Sequence, residues 1–115
     1  MKAVVRSWST YLNTGRNAAE ARLFTLPAMM IQGQYGYRLR TAAEVAEWHA
    51  GLPCSGRIVS IAVHGRTATA VFRLGNRTTS KCDAPGTLAA ARFTFAHGKI
   101  RIWEQVPPPS TGPVA

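Results

Sequence analysis

Helical periodicity ends at residue 51 and strand alternation takes over after residue 56, and this division limits the fold more than any single motif does. Two similar turns organise the second half. Val63-His64-Gly65-Arg66 and Ala96-His97-Gly98-Lys99 each set His-Gly between alternating segments, where a tight hairpin needs a glycine able to take positive φ. They predict hairpins of 57–63 with 66–77 and of 88–96 with 99–106. Helices followed by a run of strands point to an α+β layer architecture.

The hairpin registers sort the side chains. Two-residue loops put Val59, Ile61, Ala68, Ala70 and Phe72 on one face, with Phe93, Phe95, Ile100 and Ile102 as their counterparts. Thr67, Thr69, Arg73, Arg92, Thr94, Arg101 and Trp103 share the other face, polar or an interface. The second register also sets Glu104 opposite Ala91, on the apolar side. A three-residue loop would flip that strand and turn Trp103 inward instead. Residues 78–87, with Asp83-Ala84-Pro85-Gly86 as turn chemistry, connect the hairpins.

In the first half, Val4, Val5, Trp8, Tyr11 and Leu12 recur at helical spacing over residues 2–13, and Gly15 stops that helix. Asn17 is placed to cap a second helix over 18–24, which Pro27 ends. Residues 28–32 read as a first strand and Gly33-Gln34-Tyr35-Gly36-Tyr37 as a loop at the rim of any pocket. Thr41 and Glu44 form a capping box for a third helix carrying Val45, Trp48, His49 and Leu52 on one side.

A chain of 115 residues with 46% hydrophobic content can bury one core and little more. The expected organisation is a domain over 1–106 and an extended, disordered tail over 107–115, where Pro107-Pro108-Pro109 cannot join a sheet. No run approaches the roughly 18 apolar residues of a membrane span. Ser7-Trp8-Ser9-Thr10 interrupts the N-terminus before a signal-peptide centre forms, so a cytoplasmic protein without membrane attachment is expected. Fourteen basic residues against five acidic give +9, but the arginines are scattered singly from Arg6 to Arg101, so nucleic-acid binding beyond a weak, non-specific kind is not expected. Cys54 and Cys82 lack metal-motif spacing. With Cys54 opposite Gly75, Cys82 lies about 20 Å along the strand unless the chain bends back. A disulfide needs alpha carbons within about 7 Å, so free thiols are expected, and neither a metal nor a cofactor is called for.

Ala3-Val4-Val5, Leu12-Asn13, Leu23-Phe24 and Glu47-Trp48-His49 together resemble the opening of the nuclear transport factor 2-like superfamily, which includes ketosteroid isomerases and SnoaL-like cyclases. The resemblance covers nearly the whole chain. It implies a cystatin-like cone in which three N-terminal helices lie over a curved, mostly antiparallel sheet and enclose a pocket, and it implies a homodimer. The isomerase catalytic positions fall on Trp8, Gln32 and Ala91. A glutamine cannot take up a proton at neutral pH and an alanine cannot donate to an enolate oxygen, so that mechanism is excluded.

The remaining polar candidates are His49, where the resemblance has a pocket tyrosine, and Glu104; these are the expected acid–base residues. Trp8, Gln32, Trp48, Phe72, Ala91, Phe93, Ile102 and Trp103 are the expected ligand-binding residues. A wall rich in aromatics with few polar groups suits a small apolar or polycyclic molecule. The expectation is thus a SnoaL-like pocket protein, with an isomerase, cyclase or hydrolase activity left open. The alternative is a non-catalytic dimerising module whose basic surface meets an anionic partner.

Overall fold

The structure, a computed structural model, describes residues 1–109. Helix α1 (Lys2–Thr14) buries Val5, Trp8, Ser9 and Leu12, one stripe at helical spacing. It ends where Gly15 turns left-handed at φ 71°, its N–H donating to the Leu12 carbonyl. Helix α2 (Asn17–Ala21) is shorter than expected, and its N-cap is Arg16. Asn17 does not cap it; its side-chain oxygen accepts a hydrogen bond from Arg77 instead.

Strand β1 (Phe24–Gln32) begins earlier than the expected 28–32 and runs through Pro27, within an irregular stretch of its pairing with β6. A missing N–H is tolerated there because no ladder bond is lost. The expected loop 33–37 is mostly strand: the chain turns at Gly33, φ 63°, and returns as β2 (Tyr35–Leu39) antiparallel to β1. Thr41 caps α3 (Ala42–Ala50), its hydroxyl accepting from the Glu44 N–H while the Glu44 carboxylate accepts from Thr41 and from the Arg40 N–H.

The remaining strands are β3 (Cys54–His64), β4 (Thr67–Asn76), β5 (Leu88–Ala96) and β6 (Lys99–Val106), in the sheet order β2-β1-β6-β5-β4-β3. All pairs are antiparallel except β1 with β6. Helices α1 and α3 cover the concave face, and the result is the expected α+β cone with a cystatin-like sheet. Strand β6 ends at Val106, and residues 110–115 of the expected tail 107–115 lie outside the described residues.

Two bulges bend the sheet and reset its registers. On β3, Ile58 pairs with Phe72 and Ser60 with Val71, which leaves Val59 extra and exposed rather than on the apolar face. On β6, Phe95 pairs with Ile100 but Thr94 with Ile102, which leaves Arg101 extra. Every residue after Arg101 therefore changes face. The first turn is also displaced, since His64 pairs with Thr67 and Gly65-Arg66 forms the loop.

The cysteines are not free. After β4 the chain doubles back through a turn in which Arg77 N–H donates to the Ser80 carbonyl, and the Asn76 side chain accepts from the Cys82 N–H. Cys82 thereby reaches Cys54 with alpha carbons 4.4 Å apart, and the two form a disulfide. A closed loop spanning 28 positions is expected to contribute about 3.5 kcal/mol by restricting the unfolded chain. Urea unfolding with and without reductant measures this; equal midpoints would remove the staple from the stability account.

Candidate functional site

Between α1 and the concave sheet lies a cleft of about 260 Å³. Trp8 and Leu12 form its helical wall, and Phe72 and Leu74 of β4 with Trp103 of β6 line the sheet side. The space exists because β5 offers Ala89 and Ala91 on the cleft side, where larger side chains would close it. Gly56 of β3 also lines the cleft, and a Cβ there would come within 2.9 Å of the Phe72 ring. Its bare backbone lets α1 lie close: Gly56 N–H donates to Asn13 at 2.9 Å and its carbonyl accepts from Ser9. Polar groups gather among the more exposed lining: Gln32, Gln105, Ser55 and Asp83. Among the described residues, no Lys, Arg or His lines the cleft.

Behind Trp8 sits a buried polar cluster. The Trp8 indole N–H donates to His49 Nε2 at 3.0 Å, and His49 Nδ1 lies 2.8 Å from the Val45 carbonyl. These partners assign the proton to Nδ1 and leave the ring neutral. Burial holds the His49 pKa down at about 4, against the opposing Val45 hydrogen bond. Glu20, fully buried, places a carboxyl oxygen 3.4 Å from the same Nε2, which is already occupied by the indole. Among the described residues, neither Glu20 oxygen has a hydrogen-bond partner. Burial raises its pKa to about 9, with Arg77 pulling weakly the other way, so the acid is neutral near pH 7.

Arg77 holds this region together. Its Nε donates to the Leu12 carbonyl at the end of α1, and its Nη1 donates to the His49 and Leu52 carbonyls at the end of α3. Its Nη2 donates to Asn17. One guanidinium thus satisfies carbonyls at two helix C-termini, where the helix dipoles also favour a cation.

Five of the expected ligand-binding residues line the cleft: Trp8, Gln32, Phe72, Ala91 and Trp103. The other three do not. Phe93 is fully buried against Trp8, ring centroids 5.2 Å apart; Trp48 packs edge-on to Trp103 at 5.0 Å; Ile102 lies on the convex face beside Met29. His49 is sealed behind Trp8 with both nitrogens engaged, which removes it from contact with a ligand. Glu104 points away from the cleft, opposite Arg92, and pairs with it at 3.3 Å. The second turn does have two residues, but the Arg101 bulge turns Trp103 inward and brings Gln105, not Glu104, opposite Ala91. Sequence reasoning missed Gln105, Ser55, Gly56 and Asp83, and it missed Glu20 and Arg77. The one signal for Glu20 was an acid set among Ala18, Ala19 and Ala21.

No protein-family model matches the sequence, and no curated protein matches it. Solved structures do. A candidate polyketide cyclase from Sinorhizobium meliloti is 13% identical at TM-score 0.74, covering 90% of this chain and 94% of that one. A nuclear transport factor 2-like protein of unknown function from Cytophaga hutchinsonii is 8% identical at TM-score 0.72, covering 91% and 87%. The epoxide hydrolase/cyclase-like enzyme SalBIII, from pyran ring formation in the polyether salinomycin, is 18% identical at TM-score 0.70, covering 90% and 87%. At these identities the likeness establishes the fold.

Proposed function

We propose that this chain, which has the nuclear transport factor 2-like fold, binds a small, largely apolar molecule in the cleft between α1 and the sheet, as a SnoaL-like pocket protein. The observation that supports this most is the pairing of aromatic walls, Trp8, Phe72 and Trp103, with the alanine floor of β5. The polar groups Gln32, Gln105 and Ser55 suit a ligand whose apolar body sits inside and whose polar end stays near solvent. Similar folds include a cyclase-like enzyme. Binding is nevertheless favoured over catalysis here, because neither expected acid–base residue reaches the cleft.

Two tryptophans in the wall supply the assay. A panel of small aromatic and polycyclic compounds should include members that change the tryptophan fluorescence in a saturable way. Ala89→Phe, filling the floor, should weaken those by at least about tenfold while leaving the circular dichroism spectrum unchanged. Affinity indifferent to Ala89→Phe would place binding elsewhere.

A second reading concerns the convex face. Met29 and Ile102 pair there across β1 and β6, Val71 of β4 shares the face, and Met29 is exposed. We propose a homodimer through this face, with Arg38, Arg92 and Arg101 meeting carboxylates such as Glu104. Sedimentation at micromolar concentration should show a dimer, and Ile102→Glu should dissociate it; a monomeric wild-type protein would sink this reading.

No helix among the described residues is long and apolar enough to cross a membrane. The Cys54–Cys82 bond argues against the cytoplasmic address expected from the N-terminus, since cytosolic glutathione keeps thiols reduced. We propose a compartment that keeps the pair oxidised. Thiol trapping in cells reads this directly, and two alkylatable cysteines would return the protein to the cytoplasm.

A further inference from the structure

Among the described residues, Asp83 carries the only charged side chain that lines the cleft, in a chain with fourteen basic residues and five acidic ones. It does not serve the turn it was expected to build. An aspartate in a turn ordinarily accepts from a backbone N–H nearby; among the described residues, no N–H or O–H group donates to the Asp83 carboxylate and no cation pairs with it. Its carboxylate lies 3.3 Å from Cys54 Sγ, a disulfide sulfur with no hydrogen to give. The turn is held by other groups instead: Asn76 takes the Cys82 N–H, Ala84 N–H reaches Cys82 Sγ, and Thr87 donates to the Ala84 carbonyl. The disulfide therefore fixes, beside the cleft, a carboxylate that local structure does not use.

The walls of the same cleft suit the same partner. Trp8, Phe72 and Trp103 contribute aromatic rings, whose faces attract cations, and Trp8 is fixed in place by its bond to His49. The rest of the lining is largely apolar, with Leu12, Leu74 and the β5 alanines. An inorganic ion or a strongly hydrated ammonium would lose its water there without replacement. An alkylated ammonium spreads its charge over methyl groups and tolerates such walls.

Resting on the cleft reading proposed above, we infer that the ligand carries an organic cation, a substituted ammonium on an apolar or aromatic body, with the cation recognised by Asp83 and the aromatic rings. Arginine is excluded from the lining and the carboxylate is admitted, an arrangement that selects against anionic ligands although the chain as a whole would attract them.

A matched pair of compounds tests this on the intact, oxidised protein. 3-Hydroxyphenyltrimethylammonium and 3-tert-butylphenol have nearly the same shape and differ in the charge of one atom. Titration followed by tryptophan fluorescence or amide chemical shifts should show the ammonium binding about tenfold tighter. Asp83→Asn, at an exposed position, should remove that preference while leaving the affinity for 3-tert-butylphenol unchanged. Reduction of the disulfide, which frees the Asp83 segment, should also diminish the preference. Equal binding of the two compounds overturns the cation inference and leaves the cleft reading intact. A preference that survives Asp83→Asn overturns the role of Asp83. Failure of both compounds to bind at millimolar concentration, with no response at Trp8 or Trp103, overturns the cleft reading and this inference with it.

Discussion

Raising the pH from 6.5 to 8.5 should lower the unfolding free energy by about 3 kcal/mol, and Glu20→Gln should abolish that loss. Glu20 has its pKa raised from 4.5 to about 9 in the fold, so the folded protein retains a proton there that the unfolded chain releases above pH 4.5. His49 works in the opposite sense: lowered from 6.5 to about 4, it stays neutral in the fold while the unfolded chain takes up a proton below pH 6.5. Between about pH 4.5 and 6.5 one proton leaves and one arrives on unfolding, and stability is nearly flat. Above 6.5 only the release remains. Each pH unit then costs about 1.4 kcal/mol until the folded acid itself ionises near pH 9. Below 4.5 the histidine alone acts, and stability falls toward pH 4.

Urea unfolding across this range gives the profile. Glu20→Gln keeps the shape of the side chain and removes the titration, so the variant should be flat from 6.5 to 8.5 and more stable than wild type at the upper end. A wild type without the alkaline decline, or a variant that declines in parallel with it, would show that Glu20 is not held protonated.

Arg77→Met should be the most damaging single substitution, with a loss of about 4 kcal/mol or more. Three backbone carbonyls and the Asn17 side chain depend on this guanidinium; the bonds to Leu12 and His49 are buried, and those to Leu52 and Asn17 are half-buried. A hydrogen bond to a charged group is worth about 1.5–3 kcal/mol where no substitute exists. Against a total stability of about 5–15 kcal/mol, that loss should drop the midpoint of thermal unfolding by roughly 15 °C. Arg77→Lys should not restore it, because one ammonium cannot span the ends of α1 and α3 as the planar fork does. A melting point within a few degrees of wild type for Arg77→Met would refute the clamp.

Much of the architecture was legible because it depends on local chemistry. The stripe of Val5, Trp8 and Leu12 requires an amphipathic helix wherever that segment lies, Gly15 offers the left-handed stop, and Thr41 with Glu44 caps α3 from within four residues. The His97-Gly98 pair, both at positive φ, makes the second turn of the predicted length. Trp8 and Phe72 could be named as wall residues, since a large aromatic at a core-facing position must be buried on that side.

What resisted reading is long-range. Alternation specifies a face only while the pleat runs unbroken, and one extra residue at Arg101 exchanged Glu104 for Trp103 and Gln105. No local signal marks that bulge, because it relieves the curvature of a sheet that must wrap around α1 and α3. The Cys54–Cys82 bond likewise depends on a chain reversal made by Arg77, Ser80 and Asn76. By itself, the sequence determined helix, turn and cap, and hence the cone. Tertiary structure alone decided which side chains face the cleft, that His49 is buried and neutral, and that Glu20 and Arg77 share the interior. Burial and pairing across tens of residues set those outcomes, and such contacts leave no pattern in neighbouring positions.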